Sequence, residues 1–252
     1  MSGLSYSDTL LYSYPVKYQL ETIPVHDAWD SDVPCPLCSM MEEAEKRHVE
    51  YYLGNSVMNP ETRVLVNDTG FCSRHFPMMR EAGHAHHLGL IAHTHLQQVH
   101  NKLSGNIKTL NRGGSARTAG IFSAAVRSQA EECLICRSVE RDLKRYSYTA
   151  VKLFIEEEEF HSLFTESRGP CLIHAADLAD MAAEVLKKKD MQYFLTALSE
   201  HLEESLKELE ADVLRFTQKF DSQNDEMVWG NSRDAHARTV QMLSGRVVRL
   251  TD

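Results

Sequence analysis

The feature that most limits how this chain can fold is a pattern that occurs twice. Cys35 and Cys38 form CPLC, Cys133 and Cys136 form CLIC, and each pair is followed by Gly-x-Cys-x-x-His: GFCSRH at 70–75 and GPCLIH at 169–174. Cys72 lies 34 positions after Cys38, and Cys171 lies 35 after Cys136. These motifs absorb all six cysteines. Two cysteines with two residues between them can wrap one ion in a tight knuckle, and a Cys and a His at i and i+3 in the first turn of a helix project to the same side. Three thiolates and one imidazole close a tetrahedron, a common structural zinc set. Glycine ahead of the second pair suits a turn that re-aims the chain into the helix.

The repeat extends beyond the ligands. At a shift of 98, Glu42, Lys46 and Arg47 coincide with Glu140, Lys144 and Arg145, and Leu65 with Leu163; one inserted residue then brings Gly70, Cys72 and His75 over Gly169, Cys171 and His174. After a longer insertion, His95 and Leu96 match His201 and Leu202. This is an internal duplication. The expected division is an N-terminal arm (1–30), a first helical module (31–110), a linker (111–121, rich in Gly, Ser and Arg), a second helical module (122–220) and a C-terminal tail with a short helix (221–252). Short separations within each copy favour one ion per copy: Cys35, Cys38, Cys72 and His75 around the first, Cys133, Cys136, Cys171 and His174 around the second. The two modules would then superpose about an approximate twofold. A crossed arrangement is sterically conceivable.

Other uses of these cysteines are weaker. Packed core thiols would account for single residues, but not for two complete sets of three Cys and one His. The N-terminus has no basic segment leading into a continuous apolar run, and nowhere do eighteen apolar residues run together, so a soluble, cytoplasmic protein without a membrane span is expected. In a reducing compartment disulfides are rare, which leaves metal or redox chemistry. An iron-sulfur cluster is the rival to zinc, although cluster motifs usually concentrate their cysteines more closely. The balance of 27 Lys and Arg against 36 Asp and Glu, a net charge of -9, disfavours a nucleic-acid partner. Such a partner would need at least a basic face near Lys46, Arg47, Lys144 and Arg145.

Between the motifs the pattern is helical. Met41, Ala44, Val49, Tyr52 and Leu53 follow helical spacing after CPLC, and 139–154 repeats this in the second copy. Long helical patterns follow each Cys-x-x-His, over about 76–110 and 175–220, and IFSAAVRSQAEE leads into CLIC. An all-α fold is expected, two tandem modules related by duplication, each with a metal site of three Cys and one His. The motifs CPLC and GFCxxH, the lead-in YQLETIPVHDAWDSDVPCPLC and the terminal DAHARTVQMLSGR together resemble an uncharacterised bacterial domain family of unknown function, found largely in anaerobes. The resemblance runs from about residue 18 to 246 and implies no activity.

Candidates for a further site are diffuse. Six histidines fall between His84 and His100, but His86, His93 and His100 are spaced by sevens, about 10.5 Å apart along a helix, too far to share an ion. Glu-x-x-His occurs at Glu45–His48, Glu81–His84 and Glu158–His161, short of the full carboxylate set that a di-iron bundle needs. The acidic run at 156–159 reads as a solvated face or a loop. The aromatic N-terminal arm packs on its own bundle or exchanges with a second subunit, making a homodimer. There is no phosphate loop, nucleophile elbow or dinucleotide fingerprint. The expectation is a zinc-binding helical protein holding two ions per chain, a non-enzymatic binding or accessory module whose partner is a protein or a small molecule. The alternative is a metalloenzyme or redox protein using an iron-sulfur cluster or a further His/Glu metal site.

Overall fold

A computed structural model describes residues 21–112, 114–224 and 226–248. Most of the proposed arm, 1–20, and the end of the tail lie outside the described residues. Within them the chain forms eleven α-helices: α1 (Thr22–Asp30), α2 (Pro36–Leu53), α3 (Pro60–Thr69), α4 (His75–Glu81), α5 (Ala85–Asn111), α6 (Ala116–Glu131), α7 (Leu134–Glu156), α8 (Glu158–Glu166), α9 (Leu172–Val185), α10 (Lys188–Gln218) and α11 (Ala235–Ser244). Among the described residues there is no strand, and the all-α expectation holds.

The breaks between helices have local causes. The pattern at 76–110 divides into α4 and α5 at Gly83, whose φ is +84°, a conformation in which L side chains are strained. Asn59 caps α3 by accepting from the backbone N–H groups of Glu61 and Thr62, with Pro60 at the first helical position. Ser115 and Thr118 form a reciprocal capping box that starts α6 inside the stretch expected as linker. The acidic run is the junction of α7 and α8, where Glu157 is the N-cap of α8 and pairs with His26.

The described residues form two compact units: one comprises residues 21–42 together with those from Leu143 onward, and the other lies within Glu43–Asp142. These bounds do not follow the two copies of the repeat. Helix α2 begins in the discontinuous unit and ends in the continuous one, and α7 carries the chain back.

In the discontinuous unit, α1 packs against α8, and α9, α10 and α11 pack on one another. Its core is aromatic. Trp29 lies 5.5 Å from Phe160 and stacks at 6.2 Å on Phe164, and Phe154 meets both Phe164 and Phe194 edge-on. Each such ring removes roughly 150–250 Å² from water, so these few residues dominate the burial. The continuous unit packs α5 against α3 and α6. Its core runs through Val49, Tyr52, Leu53, Val57, Val66, Phe71, Met79 and Ile91 to Leu134 and Ile135.

Candidate metal centres

The eight predicted ligands gather into two groups of four, but not the two expected. Cys35, Cys38, Cys171 and His174 form one group, and Cys72, His75, Cys133 and Cys136 the other. Each C-x-x-C therefore joins the Cys-x-x-His of the other copy, and the pairing within copies is corrected to a crossed one. Each complete set lies inside one compact unit. None of the six cysteines is in a disulfide.

The physical reason is helix length. Helix α2 has 18 residues and α3 only 10, about 27 Å against about 15 Å at 1.5 Å per residue. The boundary between the units falls inside α2, so Cys35 and Cys38 at its start belong to one unit and Cys72 and His75, after its end, to the other. The second copy has the same imbalance, with 23 residues in α7 and nine in α8.

In the first centre, Cys35 precedes α2 and Cys38 lies in its first turn, while Cys171 is the N-cap of α9 and His174 lies in that helix's first turn. The His174 Nδ1 stands 3.5, 3.4 and 3.3 Å from the Sγ atoms of Cys35, Cys38 and Cys171, and Cys38 Sγ is 3.7 Å from Cys171 Sγ. In the second centre, His75 Nδ1 lies 3.3, 3.2 and 3.4 Å from Cys72, Cys133 and Cys136, with 3.8 Å between the sulfurs of Cys72 and Cys136. Around a tetrahedral ion with Zn–S near 2.3 Å and Zn–N near 2.0 Å, the edges are about 3.8 Å between sulfurs and about 3.5 Å from sulfur to nitrogen. In each cluster the three sulfur–nitrogen distances and the sulfur–sulfur distance given above are close to these edges, and all four ligand atoms lie within 4.8 Å of one another.

Electrostatics favours a cation in each. At His174 burial opposes the charge, but the Cys171 and Cys35 sulfurs outweigh it and raise the imidazole to about 10. His75 is likewise opposed by burial and raised to about 10 by Cys133 and Glu45. Burial disfavours the Cys133 thiolate, yet His75 and the backbone N–H groups of Cys136 and Cys72 bring it down to about 6. Burial and the neighbouring Cys133 sulfur push Cys136 up to about 12. In each cluster the imidazolium thus stands in for a cation that a divalent ion would replace, deprotonating the thiols.

The surroundings reuse the duplication. Gly70 and Gly169 have φ of +74° and +78°. A Cβ on either would stand 2.3 or 2.4 Å from an imidazole, that of His95 on Gly70 and that of His201 on Gly169. The matched histidines thus lie directly on the turns that deliver the second pair of ligands, a role the sequence reading left unassigned. The Gly70 turn is also tied to the other half of its centre, since the Leu134 N–H, next to Cys133, donates to the Gly70 carbonyl at 3.2 Å.

One neighbour is not repeated. The His75 Nε2 donates to Glu45 at 2.7 Å, and Arg74 clasps the other carboxylate oxygen. This is the carboxylate–histidine arrangement that orients a metal-bound imidazole. At the 98-residue shift Glu45 falls on Leu143, which cannot accept. Sequence reasoning placed Glu45 in a Glu-x-x-His pair with His48, whose Nε2 instead meets Asp142 at 2.8 Å.

The remaining candidates disperse. Of the histidine-rich segment, His84, His86, His93 and His100 are exposed, and His87 pairs with the Leu53 carbonyl. Among the described residues no third group of three donors gathers. Lys46, Arg47 and Arg145 stand in ion pairs with Glu43, Asp142 and Glu21. No described helix is long and apolar enough to cross a membrane. The model of a family of unknown function (DUF6062) matches residues 16–249. Neither a curated protein nor a solved structure matches the chain.

Proposed function

We propose that this chain, which belongs to that family of unknown function, is a two-zinc helical protein whose ions are structural. The observation that supports it is the convergence of three sulfurs and one Nδ1 within 4.8 Å of one another, twice. Four protein ligands leave no open position for water, so such an ion clamps helices rather than activating a substrate. Each would fix the start of one helix to the start of another in a unit of modest core, and structural zinc contributes on the order of 10 kcal/mol or more to folding. The protein then serves as a binding or accessory module of the cytoplasm, with a protein or small molecule as its partner. Elemental analysis of protein purified anaerobically without added metal tests this. Two zinc per colourless chain is the expected result, and iron with acid-labile sulfide and visible absorption would overturn it.

A further inference from the structure

The two centres carry the same four ligands in different settings. In the first, all four are buried. In the second, Cys133 and His75 are buried, Cys72 is half-buried and Cys136 is exposed. Cys136 is the repeat partner of Cys38, which is only 2 % exposed, so one position of one motif is sealed in one unit and open to solvent in the other. The Cys136 sulfur lies 3.8 Å from that of Cys72, the other ligand with surface access. Zinc would hold both as thiolates, and oxidation of thiols follows thiolate character and exposure.

We infer that the second centre is a peroxide-sensitive thiol switch, in which Cys136 is the oxidised residue and Cys72 the resolving one, while the first centre is inert. The inference rests on the zinc reading above. The Cys136 thiolate attacks one oxygen of a hydroperoxide, breaking the O–O bond and forming a sulfenic acid; the departing oxygen takes a proton and leaves as water or an alcohol. The Cys72 thiolate then attacks the Cys136 sulfur, the S–S bond forms, and the hydroxide expelled is protonated to water. Two thiolates have been oxidised by two electrons and the peroxide reduced by two. The ion keeps only Cys133 and His75 and dissociates. The clamp between the start of α4 and the start of α7 opens, and the continuous unit loosens while the other keeps its ion.

The test begins with a zinc count on the full chain. Fewer than two zinc, or iron with sulfide, sinks the zinc reading itself. With two zinc present, hydrogen peroxide is added, released zinc is followed with a chromogenic chelator, and the product is mapped by peptide mass spectrometry. One zinc per chain should be released, with a Cys72–Cys136 disulfide and a mass loss of two hydrogens; thiol reductant with added zinc should reverse both. Cys136→His, which keeps a nitrogen ligand but no thiol, should retain its zinc under the same dose, and Cys38→His should still release one. Loss of both ions together, loss from the first centre, a disulfide elsewhere, or unchanged release from Cys136→His would overturn the switch and leave the two-zinc reading standing. If Cys136→His fails to load its second ion, the disulfide map of the native chain decides alone.

Discussion

Glu45 is the residue on which the two centres differ most in support. It is buried, and although burial would raise its pKa, His75 and Arg74 hold it below the usual carboxylate range. Glu45→Gln should therefore weaken zinc at the second centre by roughly 10–100-fold, the usual cost of removing such a partner, and leave the first unchanged; chelator competition resolves the two. Gly70→Ala forces a Cβ against His95 at a positive φ, so a loss of about 1–3 kcal/mol for the backbone conformation is expected, with more from the clash, read from denaturant midpoints. His201 gives a pH test. Burial lowers its pKa, with Glu204 and Glu208 opposing only in part, and its Nε2 is buried with no hydrogen-bond partner. The unfolded chain then binds a proton that the folded one refuses below about pH 6.5, so this contribution is complete above that pH and is lost as pH falls through the lower folded value. His201→Phe should make stability fall less steeply on acidification than in the native chain; the difference between the two isolates this residue from proton uptake by the zinc ligands.

At the scale of elements, the ligands and the helices were legible because motif and periodicity are local. The partition of ligands was not. Spacings of 34 and 35 residues look shorter than 133 or 61, but a rigid helix converts residues into distance, and the unit boundaries fall inside α2 and α7, so each C-x-x-C lies in a different unit from the Cys-x-x-His that follows it in sequence. Glu45 was legible only as half of a Glu-x-x-His pair, for a related reason: its actual partner lies thirty residues away, and Leu143 at the repeat position removes the recurrence that exposed the ligands. His95 and His201 did leave that signal, a matched pair beside matched leucines. The crossed pairing has its own test. Cys171→Ala should lose one ion and increase hydrogen exchange at the starts of α2 and α9, while the starts of α4 and α7 stay protected. Pairing within copies would instead expose the start of α7.

For the whole molecule, the units predict what can be cut out. Residues 43–142 contain Cys72, His75, Cys133 and Cys136, and this fragment should fold and bind one zinc. Residues 31–110 hold four of the ligands, Cys35, Cys38, Cys72 and His75, but drawn from two different centres, and should bind zinc weakly and stay unfolded by circular dichroism. Both results reversed, with 31–110 folding around zinc and 43–142 failing to, would restore the tandem arrangement. The crossover also bears on assembly. Residues 31–110 and 122–220 each carry half of either centre, Cys35 and Cys38 with Cys72 and His75 in one, Cys133 and Cys136 with Cys171 and His174 in the other. Expressed as separate chains, they can complete a centre only by joining, so zinc uptake by the mixture should depend on protein concentration. One continuous chain makes that association intramolecular.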